Sequence, residues 1–214
     1  MAKRKTRDLS RKAPKREAYK TILIVCEGTE TEKRYFESLI NHEKLSSVNI
    51  QICPGKGSDP KSVVETALNI MDEQSKYLDF DEMYCVIDRD VHNTFDEAKQ
   101  LAKSNNIQLI ISYPSFEYWY LCHFIYSRAP IIKSRNNSAG DNCVSLLNVH
   151  WVQEFKEKYD KAKSGIYVML LSKLDDAIRN ATRALNDSQE NGEPNPSTQV
   201  HELVEKLRNI KVKS

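Results

Sequence analysis

Met83-Tyr84-Cys85-Val86-Ile87-Asp88-Arg89-Asp90 is an apolar run with strand character that ends in two carboxylates one residue apart. Side chains alternate along an extended chain, so Asp88 and Asp90 face the same way from the carboxyl end of a buried strand while Arg89 points elsewhere. Such a pair is a candidate divalent-metal half-site, set against the plainer role of carboxylates that solvate a loop or cap the following helix. A second apolar run, Thr21 to Cys26, ends the same way in Glu27-Gly28. In an open parallel sheet the carboxyl ends of neighbouring strands gather at one edge, which sets Glu27 facing the Asp pair across a shared crevice.

Outward from these runs the pattern alternates strand and helix. Thr29 offers an N-cap oxygen with Glu32 three residues on, and Tyr35, Phe36, Leu39 and Ile40 form the apolar stripe of a helix. Val48 to Cys53 reads as a second strand. Gly55-Lys56-Gly57 follows it, lacks the spacing of a Walker loop and reads as a turn. A helix is expected from about Lys61 to Lys76, another over Thr94 to Asn105, and a strand over Ile107 to Ser112. Ser115 then caps an aromatic helix running to Phe124. Beyond Ile132 the strand signals stop, and Val144 to Tyr159, Tyr167 to Leu185 and Thr198 to Ile210 show helical spacing. The expected fold class is α/β, an open parallel sheet flanked by helices with right-handed crossovers and a C-terminal helical region. Residues 1–20 read as a basic flexible arm, 21–132 as the α/β catalytic domain and 133–214 as a helical region packed on it.

Composition agrees with a globular chain that buries one substantial core, at 40% hydrophobic and 29% charged residues. No apolar run approaches the roughly 20 residues needed to span a bilayer, and the amino terminus has no apolar signal region. The expectation is a cytoplasmic protein without a membrane partner. Met1 to Lys20 carry Lys3, Arg4, Lys5, Arg7, Arg11, Lys12, Lys15, Arg16 and Lys20 against Asp8 and Glu17, yet the whole chain is only +2. The body is therefore net acidic and the arm strongly basic. Lys3, Arg4, Lys5, Arg7, Arg11 and Lys12 are the candidate contacts to a nucleic-acid backbone, against the plainer reading of a disordered tail. Cys26, Cys53, Cys85, Cys122 and Cys143 form no CxxC pair or zinc-like spacing and read as reduced thiols.

The acidic set Glu27, Asp88 and Asp90 is the strongest chemical signal. Hard oxygen donors without nearby imidazole or thiolate suit Mg2+ or Mn2+, which keep water and substrate phosphate in their remaining positions. Two clustered ions would let a carboxylate site cleave a phosphodiester, one activating water and one stabilising the leaving oxygen. Glu117, at the start of the aromatic helix, is a candidate fourth ligand or general base, set against the plain role of an acidic residue in a first helical turn. Phe116, Trp119, Tyr120 and Phe124 fall at helical spacing and read as core, and His123 as a helix-face histidine. Lys161 and Lys163 read as solvent-facing, with either one a candidate to approach a scissile phosphate. Asn195, Ser197, Thr198 and His201 form a second polar cluster, explained only as a helix cap.

Together LIVCEGTETEKRYF (from Leu23), VIDRD (from Val86) and SYPSFEYWYLCHF (from Ser112) resemble the RloB family, whose genes accompany restriction–modification and other phage-defence loci. The likeness extends to NPSTQVHELVEKL near the carboxyl end. Where that family usually has Asn-Pro-Cys before the aromatic helix, this chain has Tyr113-Pro114-Ser115, while Phe116-Glu117 is kept. The resemblance implies a Toprim-like catalytic domain, with a glutamate after the first strand matched by Glu27 and an Asp-x-Asp matched by Asp88-Arg89-Asp90. Absence of a tyrosine-bearing domain or primase zinc module argues against topoisomerase and full primase activity. What the resemblance leaves is a nuclease dependent on Mg2+ or Mn2+ in antiviral defence, with RNA, transfer RNA included, slightly favoured over DNA as its substrate. An ATPase or other defence-system subunit is then the expected protein partner. The rival expectation is a non-catalytic subunit that binds nucleic acid or a partner; a third is another phosphotransfer enzyme acting on nucleotides.

Overall fold

The first strand, β1 (Ile22–Cys26), is buried along its whole length because helices cover both sheet faces. The structure, a computed structural model, describes residues 20–45, 50–57, 59–89 and 94–210. After β1 come α1 (Thr31–His42), β2 (Ile50–Pro54), α2 (Pro60–Gln74), β3 (Glu82–Asp88), α3 (Phe95–Ser104) and β4 (Ile107–Tyr113). The chain then turns helical through α4 (Glu117–Cys122), α5 (Ala139–Phe155), α6 (Ile166–Leu170) and α7 (Leu174–Asn191), and closes with β5 (Ser197–Thr198) and α8 (Val200–Asn209). The sheet order is β2-β1-β3-β4-β5, with β5 alone antiparallel. The fold is therefore α/β, a mostly parallel five-stranded sheet flanked by helices with a C-terminal helical region.

Alternation along the strands divides the core. Leu23, Val25, Met83, Cys85 and Ile87 pack under α2 and α3 with Val63, Val64, Ala98 and Ala102. Ile22, Ile24, Cys26, Tyr84 and Val86 face the other way, onto α1 and the C-terminal helices. There Tyr35, Phe116, Trp119, Tyr120, Trp151 and Tyr167 pack largely edge to face, as ring quadrupoles prefer. Each such side chain removed from water contributes roughly 1.5–3 kcal/mol. All five cysteines are free thiols, as expected.

The departures from expectation are local. A reciprocal cap between Ser138 and Asp141 starts α5 at Ala139, ahead of the first apolar residue of its stripe. The helix expected over Tyr167 to Leu185 is broken by a 3-10 turn at Leu171–Lys173, and α7 runs on to Asn191 before Gly192 ends it at φ 69°. The two-residue strand β5 lies where no strand was expected. It is held by pairing Ser112 with Thr198 and by a 2.8 Å hydroxyl contact between those side chains. The cluster read as a helix cap is thus partly a sheet edge, and the Asn195 side chain bonds both backbone groups of Ile131.

β1 lies between β2 and β3, so the strand order reverses there, and the crevice outside the carboxyl ends of β1 and β3 is where such sheets bind ligands.

Candidate active site

Both acidic strand ends open onto that crevice. The pairing of Cys26 with Val86 sets the register, and the Glu27 N–H donates to the Val86 carbonyl at 3.0 Å. From there Glu27 Oε2 accepts the Asp88 N–H at 3.0 Å. A cleft of about 290 Å³ is lined by Glu27, Glu32, Asp88, Glu117, Phe116 and Lys161, among others. The structure thus gathers Glu27, Asp88 and Glu117 from three separate elements. Asp90 and the arm residues Lys3, Arg4, Lys5, Arg7, Arg11 and Lys12 lie outside the described residues.

Glu117 is 2% exposed, and its carboxylate is held on both oxygens. Ser115 Oγ donates to Oε2 at 2.7 Å, while Tyr159 OH donates to Oε1 at 3.3 Å. Lys161 Nζ stands 3.3 Å from the same Oε1. Ser115 therefore orients the glutamate instead of capping the helix, whose first turn has no side-chain cap bond. Tyr159 comes from the loop after α5, anchored by Asn148 Oδ1 on its backbone N–H at 2.8 Å and by its ring against Tyr120 and Trp151. That anchoring carries Lys161 over the cleft, where its side chain is solvent-facing, as expected, and also lines the site. Lys163, by contrast, pairs with Glu157 at the surface.

Glu32 is the residue the sequence reading assigned elsewhere. Helix α1 starts at Thr31 with Glu30 as cap residue and no side-chain cap bond, so Thr29 and Glu32 do not form the expected capping box. Glu32 instead turns into the cleft against Gly28, where a Cβ would collide with its carboxylate. Burial pushes the Glu32 carboxyl up to about 7, its own backbone N–H works against that rise, and the charges of Glu117 and Glu27 add to it. Asp88 is likewise held well above the usual carboxylate range by burial, then by Glu32, Glu117 and Glu27, with Lys161 acting the other way. Burial is the largest single influence and disfavours the Lys161 ammonium, but the charge and hydrogen bond of Glu117 together with the charges of Asp88 and Glu32 outweigh it, and the pKa rises.

Among the described residues no group of three or more His, Cys, Asp or Glu side chains is arranged to hold a metal ion. The donor chemistry nonetheless fits a hard divalent cation. Asp88 Oδ1 is sealed from solvent with no hydrogen-bond partner, and carboxylates that raise one another's pKa are a site short of positive charge. Glu27, Asp88 and Asp90 would hold such an ion. His123 is buried, with Nδ1 3.0 Å from the Trp119 carbonyl and its ring against Trp119, and takes no part in the cleft.

In the sequence Glu32 and Ser115 read only as capping residues, and Tyr159 was given no role in the site. For Glu32 the available signal was the density of carboxylates in Glu27-Gly28-Thr29-Glu30-Thr31-Glu32; Tyr159 left none. No helix among the described residues is long and apolar enough to cross a membrane. A family model described as RloB-like protein matches residues 22–207. Neither a curated protein nor a solved structure matches the chain.

Proposed function

The chain belongs to the RloB-like protein family, and from that footing we propose that it is a metal-dependent, Toprim-like nuclease of antiviral defence. Its substrate in this reading is a nucleic-acid phosphodiester, with RNA, transfer RNA included, favoured over DNA by the family's defence setting. The observation that carries the reading is the convergence of Glu27, Asp88 and Glu117 on one cleft at the sheet's switch point, around a buried and unpartnered Asp88 Oδ1.

The chain's own groups divide the work. Glu27 and Asp88, with Asp90, would hold Mg2+ or Mn2+, which when bound supplies Lewis-acid stabilisation of a phosphoryl oxygen and a more acidic bound water. Glu117, oriented by Ser115 and Tyr159, would accept the proton of the attacking water. Lys161 sets a positive charge beside Glu117, where it opposes the charge that builds on the phosphoryl oxygens. Glu32 adds a further carboxylate against Gly28. The basic arm would grip backbone phosphates, and an ATPase or other defence subunit would be the partner.

The test is cleavage of end-labelled RNA and DNA by the full chain with Mg2+, Mn2+ or chelator. Metal-dependent cutting that Asp88→Ala abolishes, with an unchanged circular dichroism spectrum, supports the reading. Equal cutting by parent and Asp88→Ala, or none by the parent on any RNA or DNA, sinks it.

A further inference from the structure

Arg89 follows Asp88 directly, and the alternation that sends Asp88 into the cleft sends Arg89 to the opposite face of the sheet. There its guanidinium lies 4.9 Å from the centre of the Phe95 ring and 5.6 Å from that of Tyr113. One ring begins α3 and the other ends β4, and the Arg89 N–H is fixed on the Ser112 carbonyl at 2.7 Å. Among the described residues the guanidinium has no carboxylate or other acceptor partner. Among the described residues its five N–H donors are therefore unspent, and two rings flank the guanidinium within cation–π distance. A planar fork of this kind matches the oxygens of a phosphate.

We propose that Arg89, held between Phe95 and Tyr113, is a second phosphate-binding site, which grips a backbone phosphate next to the one that enters the carboxylate cleft. This assignment rests on the nuclease reading above. A strand laid across the sheet edge from the α1 side to the α2 side meets Asp88 first and Arg89 next. The acidic cleft repels a polyanion on its own, with Lys161 the single cation lining it among the described residues. Arg89 supplies positive charge that no carboxylate among the described residues neutralises, one residue away from the chemistry. Because it reads phosphate and not bases, it adds affinity to every sequence alike.

The experiment measures binding of a short fluorescent single-stranded RNA to the full chain in chelator, over a range of salt, for the parent, Arg89→Gln and Phe95→Leu. Arg89→Gln should bind on the order of tenfold more weakly, the loss of one charge-assisted contact. Its salt slope should shrink by about 0.7, the value for one phosphate of a single strand. Phe95→Leu should weaken binding by several-fold with the slope kept, since the charge remains and its support is lost. If Arg89 only ties α3 to β4, Arg89→Gln lowers the melting temperature and leaves affinity and slope unchanged, which overturns the proposal. If Arg89→Gln does not fold, Arg89→Lys is read instead: weaker binding at the parent's slope supports the proposal, and unchanged affinity overturns it. Metal-dependent cleavage by the parent is scored separately. A parent that binds without cutting any substrate sinks the nuclease reading while the Arg89 comparison still decides this site; a parent that does not bind overturns both.

Discussion

Glu27 Oε2 accepts the backbone N–H of Asp88 at 3.0 Å, so the carboxylate that ends one strand is fastened to the chain that ends its neighbour. The bond follows from a parallel register that pairs Cys26 with Val86. Two acidic groups far apart in sequence are thereby fixed relative to each other by main chain, ahead of any ligand, and ordering them costs nothing further on binding.

Glu27→Gln tests that relationship. The amide oxygen still accepts the Asp88 N–H, so the melting temperature should change little. Affinity for Mn2+, read by calorimetry, should fall by at least about tenfold, the lower end of what even a supporting group around a metal is worth. Unchanged Mn2+ affinity removes Glu27 from the ligand set.

Glu117→Gln keeps the side chain's size and its capacity to bond Ser115 and Tyr159 while removing the charge. Activity should drop by at least about 10²-fold, as for loss of a general base. The melting temperature should hold or rise, because a buried negative charge beside Glu32 and Asp88 is gone. A large stability loss with full turnover per folded molecule would make Glu117 a structural residue.

Glu32 sets a pH dependence for the metal-free protein. Its carboxyl is raised from 4.5 to about 7 in the folded state, so folding holds its proton more tightly than the unfolded chain does. That contribution is complete below pH 4.5 and is lost as pH rises through about 7, a change of up to about 3 kcal/mol. Urea unfolding should therefore show Glu32→Gln gaining stability over the metal-free parent at pH 8 and not at pH 4.5. Mg2+ should stabilise the parent more at pH 8 than at pH 5. Equal Mg2+ effects at the two pH values would mean that no buried carboxylate is relieved by the ion.

His123 gives the opposite slope. Burial lowers its pKa from 6.5 to about 4, so the unfolded chain takes up the proton first as the solution is acidified. Stability is complete above pH 6.5 and drains away down to about pH 4, again on the order of 3 kcal/mol. His123→Phe keeps a ring against Trp119 and should flatten this acid limb in urea titrations. An acid limb of undiminished depth would clear His123 of the effect.

Much of the site's frame was legible because two local rules coincide. Continuous apolar runs marked β1, β3 and β4, and a carboxylate at each of two strand ends marked the edge, so Glu27 and Asp88 were identified before any geometry. Glu117 followed from its place just after β4. Glu32 was misread because a Thr-x-x-Glu spacing satisfies the capping-box pattern, and only the packing of α1 decides whether that carboxylate reaches back to the helix end or into the cleft. Tyr159 was beyond reach for another reason, and Lys161 was marked only as one of two lysines able to approach a phosphate. They sit on a loop whose position is set by contacts of Tyr159 with Asn148, Tyr120 and Trp151, which no local pattern encodes. β5 escaped because two residues are too few for any periodicity.

The loop that carries Tyr159 and Lys161 also sets an order of events during synthesis. The strand ends bearing Glu27 and Asp88, and Ser115 and Glu117 after them, leave the ribosome well before Tyr159 and Lys161. While the chain is still being made, the buried carboxylate has neither its phenol donor nor its ammonium neighbour, and the aromatic layer beneath it lacks Trp151. On the nuclease reading, a nascent chain would hold its metal ligands before it holds a fully assembled centre.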